Sequence, residues 1–248
     1  MLYLRSLLFT VGQLAAVFIY TPVAILAFPL PPLPRSRIIA QWAKFTIWWL
    51  RVTCQLNYSV ERTEPLPTRA AVVLSKHQSA WETIAFQLIF PPQAWVLKRE
   101  LLWIPFFGWG LAASRPVAIN RSSGARALEE VVRQGKKRLS EGRWVIVFPE
   151  GTRMRPGEHG RYNPGGALLA TRAGAPVVPV AHNAGEFWPK RGFLKHPGTI
   201  RVSIGPVIET QGKRAKEVST QAELWIEESM SRITTPELAN GAMQQGSV

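Results

Sequence analysis

The chain has 248 residues, 46% of them apolar, enough to bury the core of one large domain and far from the composition of a disordered protein. Its single cysteine, Cys54, excludes an internal disulfide or thiolate cluster, and the four histidines at 77, 159, 182 and 196 lack metal-ligand spacing, so no metal site is expected. A formal charge of +14 points to an acidic partner: anionic lipid, a phosphorylated substrate or nucleic acid.

No charged side chain occurs between Ser6 and Pro34, and Leu7 to Leu30 is long enough to cross a bilayer core, for which about 20 apolar residues suffice. Pro22 interrupts that run and Pro29, Pro31, Pro32 and Pro34 end it; a second apolar piece, Ile38 to Leu50, is short and carries Lys44. Arg5 on one side and Arg35 and Arg37 on the other nearly balance the charge bias that orients a span. Two membrane-embedded helices joined by the proline-rich turn fit these residues as well as one span does, and a two-helix motif lying in one leaflet resolves that balance without sending charge across. A cleaved signal peptide competes for the same residues, but the run is long and no small-x-small cleavage site precedes the prolines. Tryptophans beside Arg or Lys in Ala43 to Arg51 and Gln93 to Trp109 fit a membrane interface.

Past Arg51 the pattern becomes that of an α/β domain. Strands are expected at Leu56 to Val60, Ala71 to Leu74, Ala94 to Leu97, Pro116 to Ile119, Trp144 to Phe148, Val177 to Val180 and Ile200 to Ile204, several too continuously apolar to be half-exposed. Helices are expected over Ser123 to Ser140, Ala167 to Arg172 and Ala215 to Ile233. The resulting organisation is membrane-anchoring helices over 1–55, an α/β domain with a mostly parallel or mixed sheet over 56–233, and a polar tail over 234–248.

Three stretches carry chemistry. After the run Ala71 to Leu74 comes Ser75-Lys76-His77-Gln78-Ser79-Ala80-Trp81-Glu82-Thr83. A histidine in a turn, followed five residues later by a carboxylate in the first turn of a helix, is a candidate acid–base pair. Within one helix that spacing would turn the two side chains roughly 140° apart, so His77 must precede the helix. Ser79-x-x-Glu82 also reads as a capping box, which explains Glu82 without His77. Next, Lys98-Arg99-Glu100-Leu101 leads into Ile104-Pro105-Phe106-Phe107-Gly108-Trp109, two cations at a strand end beside an apolar segment suited to an acyl chain or lipid. Finally, Pro149-Glu150-Gly151-Thr152-Arg153 follows a strand and offers a close backbone approach, a hydroxyl and a planar guanidinium to phosphate oxygens. Arg121 adds a cation at another strand end.

Together these blocks resemble the glycerolipid acyltransferase family. His77-Gln78-Ser79-Ala80-Trp81-Glu82, Lys98 to Leu101 with Pro105 to Gly108, Ile119-Asn120-Arg121, Phe148 to Arg153 and Val177 to Ala181 occur in that family's order, most like bacterial members acting on 1-acylglycerol 3-phosphate. The resemblance implies an α/β fold behind a two-helix membrane motif, on the cytoplasmic face of the bacterial inner membrane. It implies transfer of a fatty acyl group from acyl-CoA or acyl-carrier protein to lysophosphatidate, giving phosphatidate, with no cofactor. It makes His77 the general base and Glu82 its partner, and places Glu150, Gly151, Thr152 and Arg153 around the acceptor phosphate with Lys98 and Arg121 adding charge. The family usually has aspartate where this chain has Glu82 and Asn120. Glycerol 3-phosphate or a lyso-aminolipid are alternative acceptors. A membrane-anchored nucleic-acid-binding protein would account for the charge but not for the His77 and Glu82 spacing.

Overall fold

The computed structural model describes residues 1–234, so the expected tail over 234–248 lies outside it except for Thr234. Two long helices come first, α1 (Leu2–Leu26) and α2 (Pro32–Cys54), antiparallel across a turn built from the proline cluster. Pro32 falls in the first turn of α2, where a missing N–H costs nothing.

A seven-stranded sheet follows: β1 (Leu56–Arg62), β2 (Val72–Ser75), β3 (Gln93–Lys98), β4 (Val117–Ile119), β5 (Trp144–Val147), β6 (Val177–His182) and β7 (Gly198–Ile204). Their spatial order is β1-β7-β6-β2-β5-β3-β4. The five strands from β6 to β4 are parallel, and β7, with β1 parallel to it, runs against them. Every residue of the central strands β2, β5 and β6 is buried, which is why these read as unbroken apolar runs.

Both faces are covered. On one lie α1, α2 and α3 (Trp81–Ile89), whose core joins Phe9, Leu50, Trp81 and Phe86 to Val73, Trp95 and Ile146 of the sheet. On the other lie α5 (Ala125–Ser140), α6 (Gly165–Ala173) and α8 (Ala215–Ile233), packing Val131, Leu169, Val218 and Ile226 on Val72, Leu74 and Val145. Gly166 lets α6 approach closely, since a Cβ there would sit 2.5 Å from Leu74 Cδ2. All seven expected strands and three expected helices form. The short helices α4 (Phe107–Ala113) and α7 (Ala184–Phe187) were not expected, because glycines at 108, 110 and 185 weaken any helical reading.

The helix pair does not project from the domain. At one end Lys195 donates its backbone N–H to Ser6 Oγ at 3.0 Å and lays its ammonium over the Phe9 and Trp188 rings. Further along, Thr21 Oγ1 donates to the Phe106 carbonyl at 3.1 Å. At the turn, the Arg115 guanidinium covers Phe28. Contacts along the whole of α1 thus hold it flat on the α/β domain. Its outer side remains apolar and exposed, from Leu4, Leu7 and Leu8 through Val11 and Phe18 to Val23, and Trp103, Ile104, Phe106 and Trp109 add to the exposed apolar surface beside it.

Candidate active site

The site forms where parallel strands end. Chain direction places the C-terminal ends of β2, β3, β4 and β5 along one edge, so the loops leaving them meet there. From β2 the chain runs through Lys76, His77, Gln78 and Ser79 into α3. His77 therefore precedes the helix, as the five-residue spacing requires, and its Nδ1 lies 2.7 Å from Glu82 Oε1.

Glu82 serves the helix and the histidine together. Oε1 accepts from the Gln78 and Ser79 backbone N–H groups at 3.0 and 2.9 Å, and Oε2 accepts from Ser79 at 3.1 Å. The Ser79 hydroxyl accepts from the Trp81 N–H at 3.1 Å and not from the Glu82 N–H, so only the glutamate half of the expected capping box forms. Burial pushes the Glu82 carboxyl up, but the His182 and His77 rings and the Ser79 N–H outweigh it and hold the carboxyl below its ordinary value. A carboxylate only accepts, so His77 Nδ1 carries the proton and Nε2 keeps its lone pair. The ring stacks on Phe148 at 3.9 Å between centroids and is 15% exposed, which fixes its plane while leaving one edge open.

The turn is clamped from two more sides. His182, fully buried on β6, places Nε2 2.9 Å from the Lys76 carbonyl, and its Nδ1 accepts from the Ala184 N–H. Glu150, from the loop after β5, accepts the His77 backbone N–H on Oε2 at 2.9 Å and pairs with Lys76 Nζ through Oε1 at 2.7 Å. Neither contact has a sequence signal: His182 reads as the polar end of an apolar strand, and Lys76 as one more cation.

The loop after β5 turns at Gly151, whose φ of +70° favours glycine and whose absent Cβ leaves room for Asn163. Arg121 Nη1 donates to the Gly151 carbonyl, which brings the loop after β4 against this one. Thr152 is exposed, its hydroxyl 3.5 Å from Lys190 Nζ. Arg153 is half-buried and makes no hydrogen bond or ion pair among the described residues, leaving its fork available for an anion. Lys98 is exposed at the end of β3, in register with Ile119. Asn120 caps the short turn after β4, accepting from Ser122 N–H and Oγ. Of the expected phosphate group, Arg121, Gly151, Thr152 and Arg153 share one loop junction, whereas both oxygens of Glu150 are turned inward.

An apolar cleft of about 110 Å³, partly open to solvent, lies between the helix pair and the domain. Val17, Thr21 and Ala24 of α1, Ile39 of α2, Trp95 of β3 and Gly110 of α4 line it. Trp95 stacks on Phe148, which stacks on His77, so the cleft wall runs to the histidine through three rings.

The acyltransferase family model matches residues 57–183, more than half of the chain. The chain belongs to the acyltransferase family. It is 43% identical over 236 residues to the 1-acyl-sn-glycerol-3-phosphate acyltransferase of Pseudomonas aeruginosa, covering 93% of this chain and 92% of that one. It is 28% identical to the enzyme of the same name from Saccharomyces cerevisiae, over 89% of this chain and 74% of that one. The crystal structure of the 1-acyl-sn-glycerophosphate (LPA) acyltransferase from Thermotoga maritima superposes with a TM-score of 0.72 over 100% of this chain and 99% of that one; at 23% identity this is a likeness of fold. The matched span of this acyltransferase contains the turn bearing His77, the loop after β5 and the strand bearing His182.

Proposed function

We propose that this acyltransferase moves a fatty acyl group from a thioester, acyl-CoA or acyl-carrier protein, to the sn-2 hydroxyl of 1-acylglycerol 3-phosphate, giving phosphatidate. The observation that carries the mechanism is the 2.7 Å contact of His77 Nδ1 with Glu82, which leaves Nε2 as the open acceptor of a ring that is 15% exposed. Nε2 takes the acceptor hydroxyl proton as the oxygen attacks the thioester carbonyl, and the ionised Glu82 stabilises the imidazolium that forms. The thiolate leaves as the carbonyl re-forms, and the histidine passes the proton to the leaving sulfur, giving a free thiol. No acyl-enzyme is needed: Cys54 is fully buried away from the turn, and the Ser79 hydroxyl caps α3.

Arg153, with Thr152, Gly151 and Arg121, holds the acceptor phosphate, the free guanidinium supplying a bidentate contact. Lys98 contributes charge from the neighbouring strand end. The donor chain lies in the cleft under α1. Residues 1–55 act as a monotopic anchor on the cytoplasmic face, where the thioesters are made. A helix docked on the domain at Ser6 and Thr21, with the turn after it held at Phe28, lies against the domain instead of crossing the bilayer, and its exposed apolar side enters one leaflet.

A thioester-release assay tests this, offering lysophosphatidate, glycerol 3-phosphate and a lyso-aminolipid in turn, each with CoA and carrier-protein donors. Release with lysophosphatidate and phosphatidate formation are expected; turnover confined to either other acceptor would overturn the assignment.

A further inference from the structure

The residue before the catalytic histidine is a buried lysine for which the mechanism has no use. Lys76 is 1% exposed, and its ammonium meets Glu150 Oε1 at 2.7 Å, Glu227 Oε1 of α8 at 3.0 Å and the Glu158 carbonyl at 3.0 Å. The ammonium donates hydrogen bonds to Glu227 and to the Glu158 carbonyl and faces Glu150 as an ion pair, and at 1% exposure it is closed off from substrate. Its carbonyl is likewise held, by His182.

A buried ion pair is a poor way to gain stability, because desolvation offsets the attraction; well-packed apolar residues of the same volume do as well or better. What this pair does supply is geometry. One Glu150 oxygen is fixed by Lys76 and the other accepts the His77 backbone N–H at 2.9 Å. On the far side, Glu227 also accepts from the Tyr162 hydroxyl at 2.9 Å, which ties α8 and the segment before α6 to the same point.

We propose that Lys76 and Glu150 are positioning residues for His77: the lysine, braced by Glu227, orients Glu150, and Glu150 fixes the backbone from which the imidazole reaches substrate. Glu150 is then a support for the base and no ligand of the acceptor phosphate. The proposal rests on His77 being the base.

Three variants test it, each assayed for kcat, acceptor KM and pH dependence, with folding followed by thermal melting. In Lys76→Met the Glu150 carboxylate loses its counter-charge, and kcat falls about 100-fold, the cost of a misplacement of about 1 Å, while acceptor KM stays within about threefold. In Lys76→Met/Glu150→Gln the pair is neutral and the glutamine oxygen still accepts the His77 N–H, so kcat returns to within about tenfold of the parent. The groups facing Glu150 are Lys76, Glu227, Tyr162 and the His77 amide; burial pushes its carboxyl up, and Lys76 opposes that. The single variant therefore loses activity as rising pH ionises the unpaired carboxyl, a limb the double variant lacks.

If Lys76→Met does not fold, the double variant compared with the parent still decides. A double variant no more active than Lys76→Met, or as inactive as His77→Ala, overturns the proposal. So does a Lys76→Met effect confined to acceptor KM, which would place the network in the phosphate site. His77→Ala, run in parallel, separates the two readings, since retained turnover there refutes the base and not the brace.

Discussion

Two buried carboxylates grip one histidine from opposite sides, and they are tuned in opposite directions. Glu82 meets the imidazole and two backbone N–H groups; burial pushes its carboxyl up, but the His182 ring together with these donors outweighs burial and holds it low. Glu150 meets one backbone N–H and the Lys76 ammonium, with Glu227 nearby adding negative charge, and burial wins, so its carboxyl is pushed up. The difference separates two tasks. Glu82 is poised to answer a change of charge on the ring, while Glu150 holds the backbone in place and touches nothing that ionises during turnover.

The largest effect should come from the ring between them. His77→Ala removes the proton acceptor and should lower kcat by about 10³-fold, within the usual range for a general base, with thermal stability close to the parent. Retained turnover in purified membranes would end the base assignment. Next, Glu82→Gln keeps an acceptor oxygen for the Gln78 and Ser79 N–H groups yet removes the charge opposite the imidazolium, so kcat should fall about 100-fold. Near-normal kcat would reduce Glu82 to a cap.

The same variant tests the direction of the Glu82 shift. A carboxyl held low in the folded state contributes stability that is present above its ordinary value and is lost as pH falls through the lowered one. Glu82→Gln should remove that contribution, flattening the acid side of a plot of stability against pH. An unchanged acid limb would place the shift elsewhere.

Arg153→Ala acts outside the grip altogether. Its side chain makes no hydrogen bond or ion pair among the described residues, so its loss should leave stability within about 0.5 kcal/mol. It should raise acceptor KM about 10- to 100-fold, as expected for a charged hydrogen bond to phosphate, with kcat changing less. An unchanged KM would remove it from the phosphate site.

What was legible in the sequence follows the same division. The strands announced themselves because a parallel sheet covered on both faces needs unbroken apolar runs, as at Val72–Ser75 and Trp144–Val147. The Glu82 contact was legible because it is local, five residues from His77 across one turn. The supports at Glu150 and His182 are 73 and 106 residues from the atoms they hold, and only the strand order brings them there. Pattern within a segment carries no such information. The docking of α1 was hidden for a further reason: both its sides are apolar, one facing α2 and α4 and the other exposed, so composition gave its length and not its lie.

The smallest effect belongs to Ser79, and it tests whether cap and catalyst are separable in a turn this short. Its hydroxyl accepts from the Trp81 N–H, while its own N–H goes to Glu82. Ser79→Ala removes the first bond and keeps the second, because the backbone donor is unchanged. The helix start should lose about 1 kcal/mol, the usual cost of a lost cap, read as a lower denaturant midpoint at constant slope. Since Glu82 remains tied through the backbone N–H groups of residues 78 and 79, the His77 contact should survive and kcat should stay within about threefold of the parent. A loss approaching that of Glu82→Gln would mean that the hydroxyl, and not the backbone, sets where the carboxylate points.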